Sequence, residues 1–212
     1  MARVRYAAAV ASGANTRERA APEPALRRQQ LADAALTVLG TSGSRGLTHR
    51  AVDEAAGLPA GSTSNHFRTR AALLEAAAVR HVELDLPAPA DVEAVAAATQ
   101  TLSREQMREL VLAGLERVLD PAARTQLAAR YELVLEATRS PALHAVMGRS
   151  RARFTDLIVL LLRGGGCARP EAHAAQLIAL LDGLTVDRLQ ETTPPLERAG
   201  VAELLDRFFA TC

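Results

Sequence analysis

Leu47-Thr48-His49-Arg50-Ala51-Val52-Asp53-Glu54-Ala55-Ala56-Gly57-Leu58-Pro59-Ala60-Gly61-Ser62-Thr63-Ser64-Asn65-His66-Phe67 is the stretch whose reading decides the fold. It reads as a short helix, a tight turn at Gly57 and a second short helix ending at a bulky aromatic. Thr48 is placed to cap the first helix, because its hydroxyl can accept from a first-turn N–H that has no partner within the helix. Val52, Ala55 and Ala56 give that helix one apolar face, with Leu58 and Phe67 as partners for it. The second helix carries Ser62, Thr63, Ser64, Asn65 and His66, consecutive hydrogen-bonding side chains with no acid among them. A short helix with small polar side chains and no carboxylate is what a DNA major groove admits. The stretch predicts a helix-turn-helix, and the rest of the chain is expected to position and switch it.

Outward from this stretch, 212 residues allow one or two domains with a proper core, at about 100–200 residues each. Hydrophobic residues make up 49% but aromatics only 3%, so the apolar content is mostly Ala and Leu, which lose little side-chain freedom in a helix. All 25 basic residues are Arg, which we read as a composition bias. The net charge of +1 argues against a chain coated in nucleic acid, but its distribution is uneven. Residues 1–80 carry a net +5 and residues 81–212 a net −4, so the front suits phosphates and the back does not. Cys167 and Cys212 show no metal-ligand spacing, and two free thiols are expected, with no metal and no cofactor. No run approaches the roughly 18 apolar residues of a bilayer span, so a cytoplasmic protein that does not meet a membrane is expected.

The chain in order predicts helices throughout. Residues 1–24 read as a flexible basic arm, with Arg3, Arg5, Arg17 and Arg19 free to reach a minor groove or to do nothing specific. A first helix from Ala25 to Leu39 buries Leu31, Ala35, Val38 and Leu39, and Gly40-Thr41-Ser42-Gly43 is expected to stop it. Thr69 caps a stalk helix that runs to Leu86, and Pro87 and Pro89 end it. A weak helix is expected at 91–101. Ser103-Arg104-Glu105-Gln106 is a capping box opening a helix to Leu119. Asp120-Pro121 and Ser140-Pro141 place a capping side chain before a first-turn Pro, for helices over 121–139 and 141–163, the second bending near Gly148. Gly164-Gly165-Gly166 ends it, Pro170 opens a helix to about Glu191, Pro194-Pro195 breaks the chain, and a last helix covers 197–210. No segment alternates with period two. The expected class is all-α: a three-helix helix-turn-helix domain over 25–70, then a helical ligand-binding and dimerisation domain over 71–212.

The span from Arg27 to Leu74 resembles the N-terminal domain of the tetracycline-repressor (TetR) family of transcriptional regulators. The residues that carry the resemblance are Leu47-Thr48-His49-Arg50-Ala51-Val52, Ala56-Gly57-Leu58, Gly61-Ser62, His66-Phe67 and Arg70-Ala71-Ala72-Leu73-Leu74, in the family's order and spacing. There are departures. The family's Leu-Tyr in the recognition helix is Thr63-Ser64 here, so the phosphate contact of that Tyr is expected to be weaker or to be supplied by Ser64 or Asn65. The small residue four before the turn glycine is Asp53, an acid that is costly to bury alone. Asp53 is therefore expected to hydrogen-bond Thr63 or Ser64 and fix the helix crossing. Pro59 stands where the family caps the recognition helix with Ser.

The resemblance implies roles. Thr48 and Arg70 look like phosphate clamps, and Arg50 looks like a base reader whose fork suits guanine. His49, Ser62, Thr63, Ser64, Asn65 and His66 face or flank the groove, Asn65 being the one suited to adenine, although His66 also reads as structural and Phe67 as core. An effector pocket in the C-terminal helices would draw on Met107, Leu110, Val111, Tyr131, Leu135, His144, Met147, Phe154 and Asp182, each of which also reads as packing. Asp182 needs a partner, either Arg153 or a ligand. Leu157, Ile158, Leu161, Leu177, Leu181 and Leu184 suggest a four-helix interface between two protomers. The expected function is a ligand-responsive repressor that binds a palindromic operator in double-stranded DNA as a homodimer and leaves it when a small hydrophobic effector binds. A DNA-binding organiser regulated by protein contacts is the alternative. An α-helical enzyme fits poorly, since the five His are scattered and the glycine run lacks a P-loop Lys.

Overall fold

The computed structural model of the chain describes residues 23–85, 103–190 and 197–212. The expected basic arm, the weak helix at 91–101 and the break at Pro194-Pro195 lie outside the described residues. Nine α-helices and no strand are found among the described residues: α1 Glu23–Gly46, α2 His49–Ala55, α3 Ser62–His66, α4 Arg70–Asp85, α5 Arg104–Leu119, α6 Arg124–Ala137, α7 Pro141–Gly164, α8 Pro170–Gln190 and α9 Arg198–Ala210. No described helix is long and apolar enough to cross a membrane.

The predicted caps form. Thr69 accepts from the Ala72 amide at 3.1 Å, Ser103 and Gln106 complete a capping box, and Asp120 and Ser140 accept from Ala122 and Leu143 beside their prolines. Each satisfies first-turn donors that the helix cannot reach itself. α7 runs through Gly148 as one helix, where a bend was expected. α1 also runs past its expected stop. It continues through Gly40 and kinks only at Gly43, whose φ is 67°. Gly40 is needed for another reason: a Cβ there would lie 2.0 Å from the carbonyl oxygen of Thr125, so only glycine lets α1 and α6 touch backbone to backbone.

That contact joins the two halves. One core gathers Leu31, Ala35, Leu39, Leu47, Val52, Phe67, Leu73 and Ala77 from α1 to α4, and continues into Ala129 and Leu133 of α6 and Leu143 and Val146 of α7. A second core holds Met107, Leu112 and Leu115 of α5, Ile158 and Leu162 of α7, Leu177 and Ile178 of α8, and Val201, Leu205 and Phe209 of α9. The first core thus spans the head and the near ends of the C-terminal helices, with α6 packed on α1 and α7 on α4.

Candidate nucleic-acid interface and effector region

Five-residue α3 is too short to hold itself, and its structure comes from outside. Its N-cap is Gly61, which has no side chain to offer, and Pro59 lies before the helix, not at its cap. Asp53 of α2 supplies the missing cap. Its Oδ2 accepts from the Gly61 amide at 2.8 Å, and its Oδ1 accepts from the Thr63 amide at 2.7 Å and the Thr63 hydroxyl at 2.6 Å. The expected Asp53–Thr63 bond is therefore present, and it is one of three. Burial raises the carboxyl's pKa, but the hydrogen bonds from Thr63 and Gly61, with nearby His49, outweigh it and hold Asp53 below the usual carboxylate range.

The far ends of both helices are closed by α1. Gln30 donates to the Ala56 carbonyl at 3.1 Å, and Arg28 donates to the His66 carbonyl at 2.9 Å while its guanidinium stacks 4.5 Å over the Phe67 ring. His49 Nε2 lies 2.6 Å from the Phe67 carbonyl, tying α2 to the exit of α3. The reading head is thus fixed at both ends of both helices by side chains of neighbouring elements.

These bonds sort the expected contacts. Thr63 has 0% of its surface exposed, so it cannot face a groove: it is the pin that Asp53 holds. His49 is drawn inward to Phe67, and the Ser62 hydroxyl donates to the Pro59 carbonyl at 2.6 Å. His66 is half-buried. Arg70 is engaged within the protein, donating at 2.6 Å to both the carbonyl and the hydroxyl of Ser44 and lying 4.0 Å from Glu136. Ser44 donates in turn from its hydroxyl to Glu136 and from its amide to Glu132 at 2.8 Å. Arg70, still exposed, closes a polar joint between α1, α4 and α6. Exposed on the outer face are Arg50, Ser64 and Asn65, with Thr48, whose hydroxyl accepts from the Ala51 amide as expected.

The expected effector residues are not brought together. Met107 and Val111 line, with Ile158, Leu161, Leu162, Leu177 and Phe209, a gap of only about 10 Å³, the room of one water. Tyr131 and Leu135 instead line an open cleft of about 340 Å³ with Gly40, Arg124, Thr125, Ala128, Glu132 and Leu189. Leu110 is half-buried on α5 and His144 is exposed on α7. Met147 packs on the first core and Phe154 on the second. Asp182 is bonded by Arg151 at 2.7 Å and Arg130 at 3.5 Å, an ion pair rather than a ligand group. Among the expected dimer residues, Leu177 (1% exposed) and Ile158 (5%) belong to the chain's own core and have no surface to give a partner. Leu157, Leu161, Leu181 and Leu184 keep partial exposure.

One cluster was missed. Cys167, His173 and Cys212 converge, their ligand atoms all within 4.8 Å of one another. Cys167 and His173 are six residues apart, but Cys212 lies 39 residues beyond His173, and the set gave no spacing signal.

Comparison with known proteins agrees with this architecture. Residues 102–211 match the tetracyclin repressor-like C-terminal domain. The chain is 32% identical over 162 residues to the HTH-type transcriptional regulator BetI of Paraburkholderia phymatum, covering 75% of this chain and 79% of that one. A TetR-family structure from Streptomyces coelicolor A3 superposes with a TM-score of 0.65 at 33% identity, over 88% of this chain and 98% of the other. The multidrug binding protein EbrR, complexed with ethidium, gives a TM-score of 0.63 at 33% identity, over 86% and 98%. With a capped helix-turn-helix at one end and a matching helical domain at the other, the chain belongs to the tetracycline-repressor family of helix-turn-helix transcriptional regulators.

Proposed function

We propose that the protein is a repressor that grips a palindromic operator as a homodimer and lets go when an aromatic, cationic effector binds. The observation that carries the DNA half is the sorting of α2 and α3: the buried and inward polar groups are spent on internal bonds, while Arg50, Ser64 and Asn65 stand exposed on one short, rigid unit. The exposed fraction of Leu157, Leu161, Leu181 and Leu184 on α7 and α8 supports pairing through those helices. Half-sites would then sit about one helical turn, ~34 Å, apart.

The effector half rests on the cleft at the α1–α6 contact. Tyr131 and Leu135 offer an apolar wall and Glu132 a carboxylate, a set that suits a flat cation such as the ethidium bound by EbrR. Glu132 also holds the Ser44 amide at the end of α1. A cation drawing on Glu132 loosens that end, and with it the joint through Arg70. A coupling of about 1–3 kcal/mol between the two sites suffices for derepression.

Selection on random duplex DNA with the full chain tests the first half. An inverted repeat is expected, and Arg50→Ala is expected to relax one position in each half-site, at the ~1–3 kcal/mol that a bidentate base contact discriminates. No enriched sequence would remove the DNA reading. Fluorescence titration of ethidium against the protein without DNA tests the second: binding weakened by Glu132→Gln is expected. Absence of binding removes this effector class and leaves the operator result standing.

A further inference from the structure

The second core contains a buried imidazole with two cysteine sulfurs against one of its nitrogens. His173, 2% exposed, has Nδ1 3.0 Å from the Cys167 sulfur and 3.0 Å from the Cys212 sulfur. In a neutral imidazole this nitrogen is one donor or one acceptor, so a single hydrogen can serve only one of the two contacts. The arrangement is built, not incidental. The Cys167 amide bonds back to the Leu162 carbonyl at 3.0 Å, fixing the turn after α7. His173 occupies the first turn of α8, with its amide on the Arg169 carbonyl, and its ring meets Phe208 edge-on at 5.9 Å. The Cys212 amide bonds to the Phe209 carbonyl, carrying the turn at the end of α9 to the site. Three separate elements therefore aim two sulfurs and one nitrogen at a common point, with apolar and aromatic packing around them.

We propose that Cys167, His173 and Cys212 form a binding site for a single thiophilic metal ion with a filled d shell, zinc(II) or copper(I), which fastens α9 to the α7–α8 turn. Two thiolates and an imidazole are the donors such ions prefer. With Zn–S at about 2.3 Å and Zn–N at about 2.0–2.1 Å, tetrahedral ligand atoms lie roughly 3.5–3.8 Å apart, within the spread of this cluster after an opening of about half an ångström. Cys212 is only partly buried, which leaves water a route to the remaining position. Binding replaces two S–H bonds by two metal–sulfur bonds and releases two protons to solvent. Arg169 has its guanidinium 3.4 Å from Nε2, where it opposes the Nε2–H tautomer that ligation through Nδ1 requires. It turns to solvent when the metal binds.

The full chain, reduced and stripped with chelator under argon, is titrated with cobalt(II), and zinc(II) and copper(I) are then competed against the bound cobalt. One cobalt per chain with a thiolate charge-transfer band is expected, displaced by zinc; displacement of zinc by copper(I) would identify copper as the preferred ion. Cys212→Ser, at the half-exposed position, is expected to lose more than the about 10–100-fold in affinity that removing an outer hydrogen-bond partner costs, and to lose the metal-induced rise in melting temperature seen in the wild type. Arg169→Gln is expected to bind zinc more tightly, which gives a second reading should Cys212→Ser fold poorly. A cobalt spectrum without the thiolate band, equal binding by wild type and Cys212→Ser, or a Cys167–Cys212 disulfide in air-purified protein that retains no ion would overturn the proposal.

Discussion

In the head, one buried carboxylate meets three donors: the Gly61 amide, the Thr63 amide and the Thr63 hydroxyl. In the second core, one imidazole nitrogen meets two sulfurs and can serve only one. Both clusters join helices that are separate in sequence, yet in the first each donor has a carboxylate oxygen to itself or shares one of two, and in the second two sulfurs converge on one nitrogen. Completeness explains why α3 can be so short. Its starting amides, which water would otherwise have to satisfy, are held by a neighbouring helix, so the polar residues left on its outer face are free for an external partner. Convergence of three metal-ligating atoms points the other way, to a group that arrives from outside. A cluster whose donors are matched to acceptors makes a rigid element, whereas one whose ligand atoms converge on a point makes a site.

The largest effect is expected from breaking the complete cluster. Asp53→Ala leaves the two buried donors of Thr63 and the part-buried Gly61 amide without their acceptor, each formerly bonded to a charged group at about 1.5–3 kcal/mol. A loss of about 3 kcal/mol or more in urea unfolding is expected, with amide exchange at Gly61 and Thr63 accelerated and operator binding abolished. If stability falls by less than about 1 kcal/mol, the usual value of one ordinary bond, Asp53 is not the cap we describe. Gly40→Ala comes next. Its Cβ would press on the Thr125 carbonyl and methyl group, forcing α1 and α6 apart. Overpacking of this kind costs about 1–3 kcal/mol, and the better helix propensity of Ala, about 1 kcal/mol, offsets part of it. The comparison sharpens if the variant melts earlier while its affinity for zinc is unchanged, because the metal cluster lies in the other core.

What was legible in the sequence was local. Thr48, Thr69, Ser103 and Ser140 announce helix starts because a cap and the amide it serves are two or three residues apart. Asp53 was legible as an acid out of place on an apolar face with Thr63 or Ser64 as its partner, and the structure selects Thr63. The same logic failed wherever the partner was distant. Gly40 reads as a helix stop unless Thr125 is known to lie against it. The bonds of Arg70 to Ser44 and its approach to Glu136, 26 and 66 residues away, gave no signal either. Ile158 and Leu177 show the periodicity of a buried stripe, but periodicity does not say whether the burial is within one chain or between two. For the same reason the expected effector residues scatter between two cores, an ion pair and a cleft. The cysteines and His173 gave no signal, since 39 residues separate His173 from Cys212 and no spacing rule reaches that far.

A smaller effect separates the head's two buried titratable groups. His81 on α4 is buried, and burial pushes its pKa below the ordinary 6.5; Arg130 of α6 pushes the same way, and Asp85 at 3.9 Å opposes them without prevailing. It is intermediate between the two clusters, with a partner too far to hydrogen-bond. Because the folded protein holds the proton less tightly than the unfolded chain, this contribution to stability is complete above about pH 6.5 and shrinks as the pH falls below it, by at most about 1.4 kcal/mol per pH unit. Asp53, whose folded pKa is held below its ordinary 3.8, has the same sign in a lower window: its contribution is present above about pH 3.8 and is lost only as the pH falls further, through the lowered value. Urea unfolding of wild type and His81→Gln at about pH 7.5 and 5.5 therefore isolates His81, since Asp53 stays ionised at both. The wild type is expected to lose more stability across that interval than the variant. Equal losses would mean that the fold leaves the proton affinity of His81 unchanged, and a smaller loss in the wild type would mean that His81 is protonated in the fold and paired with Asp85.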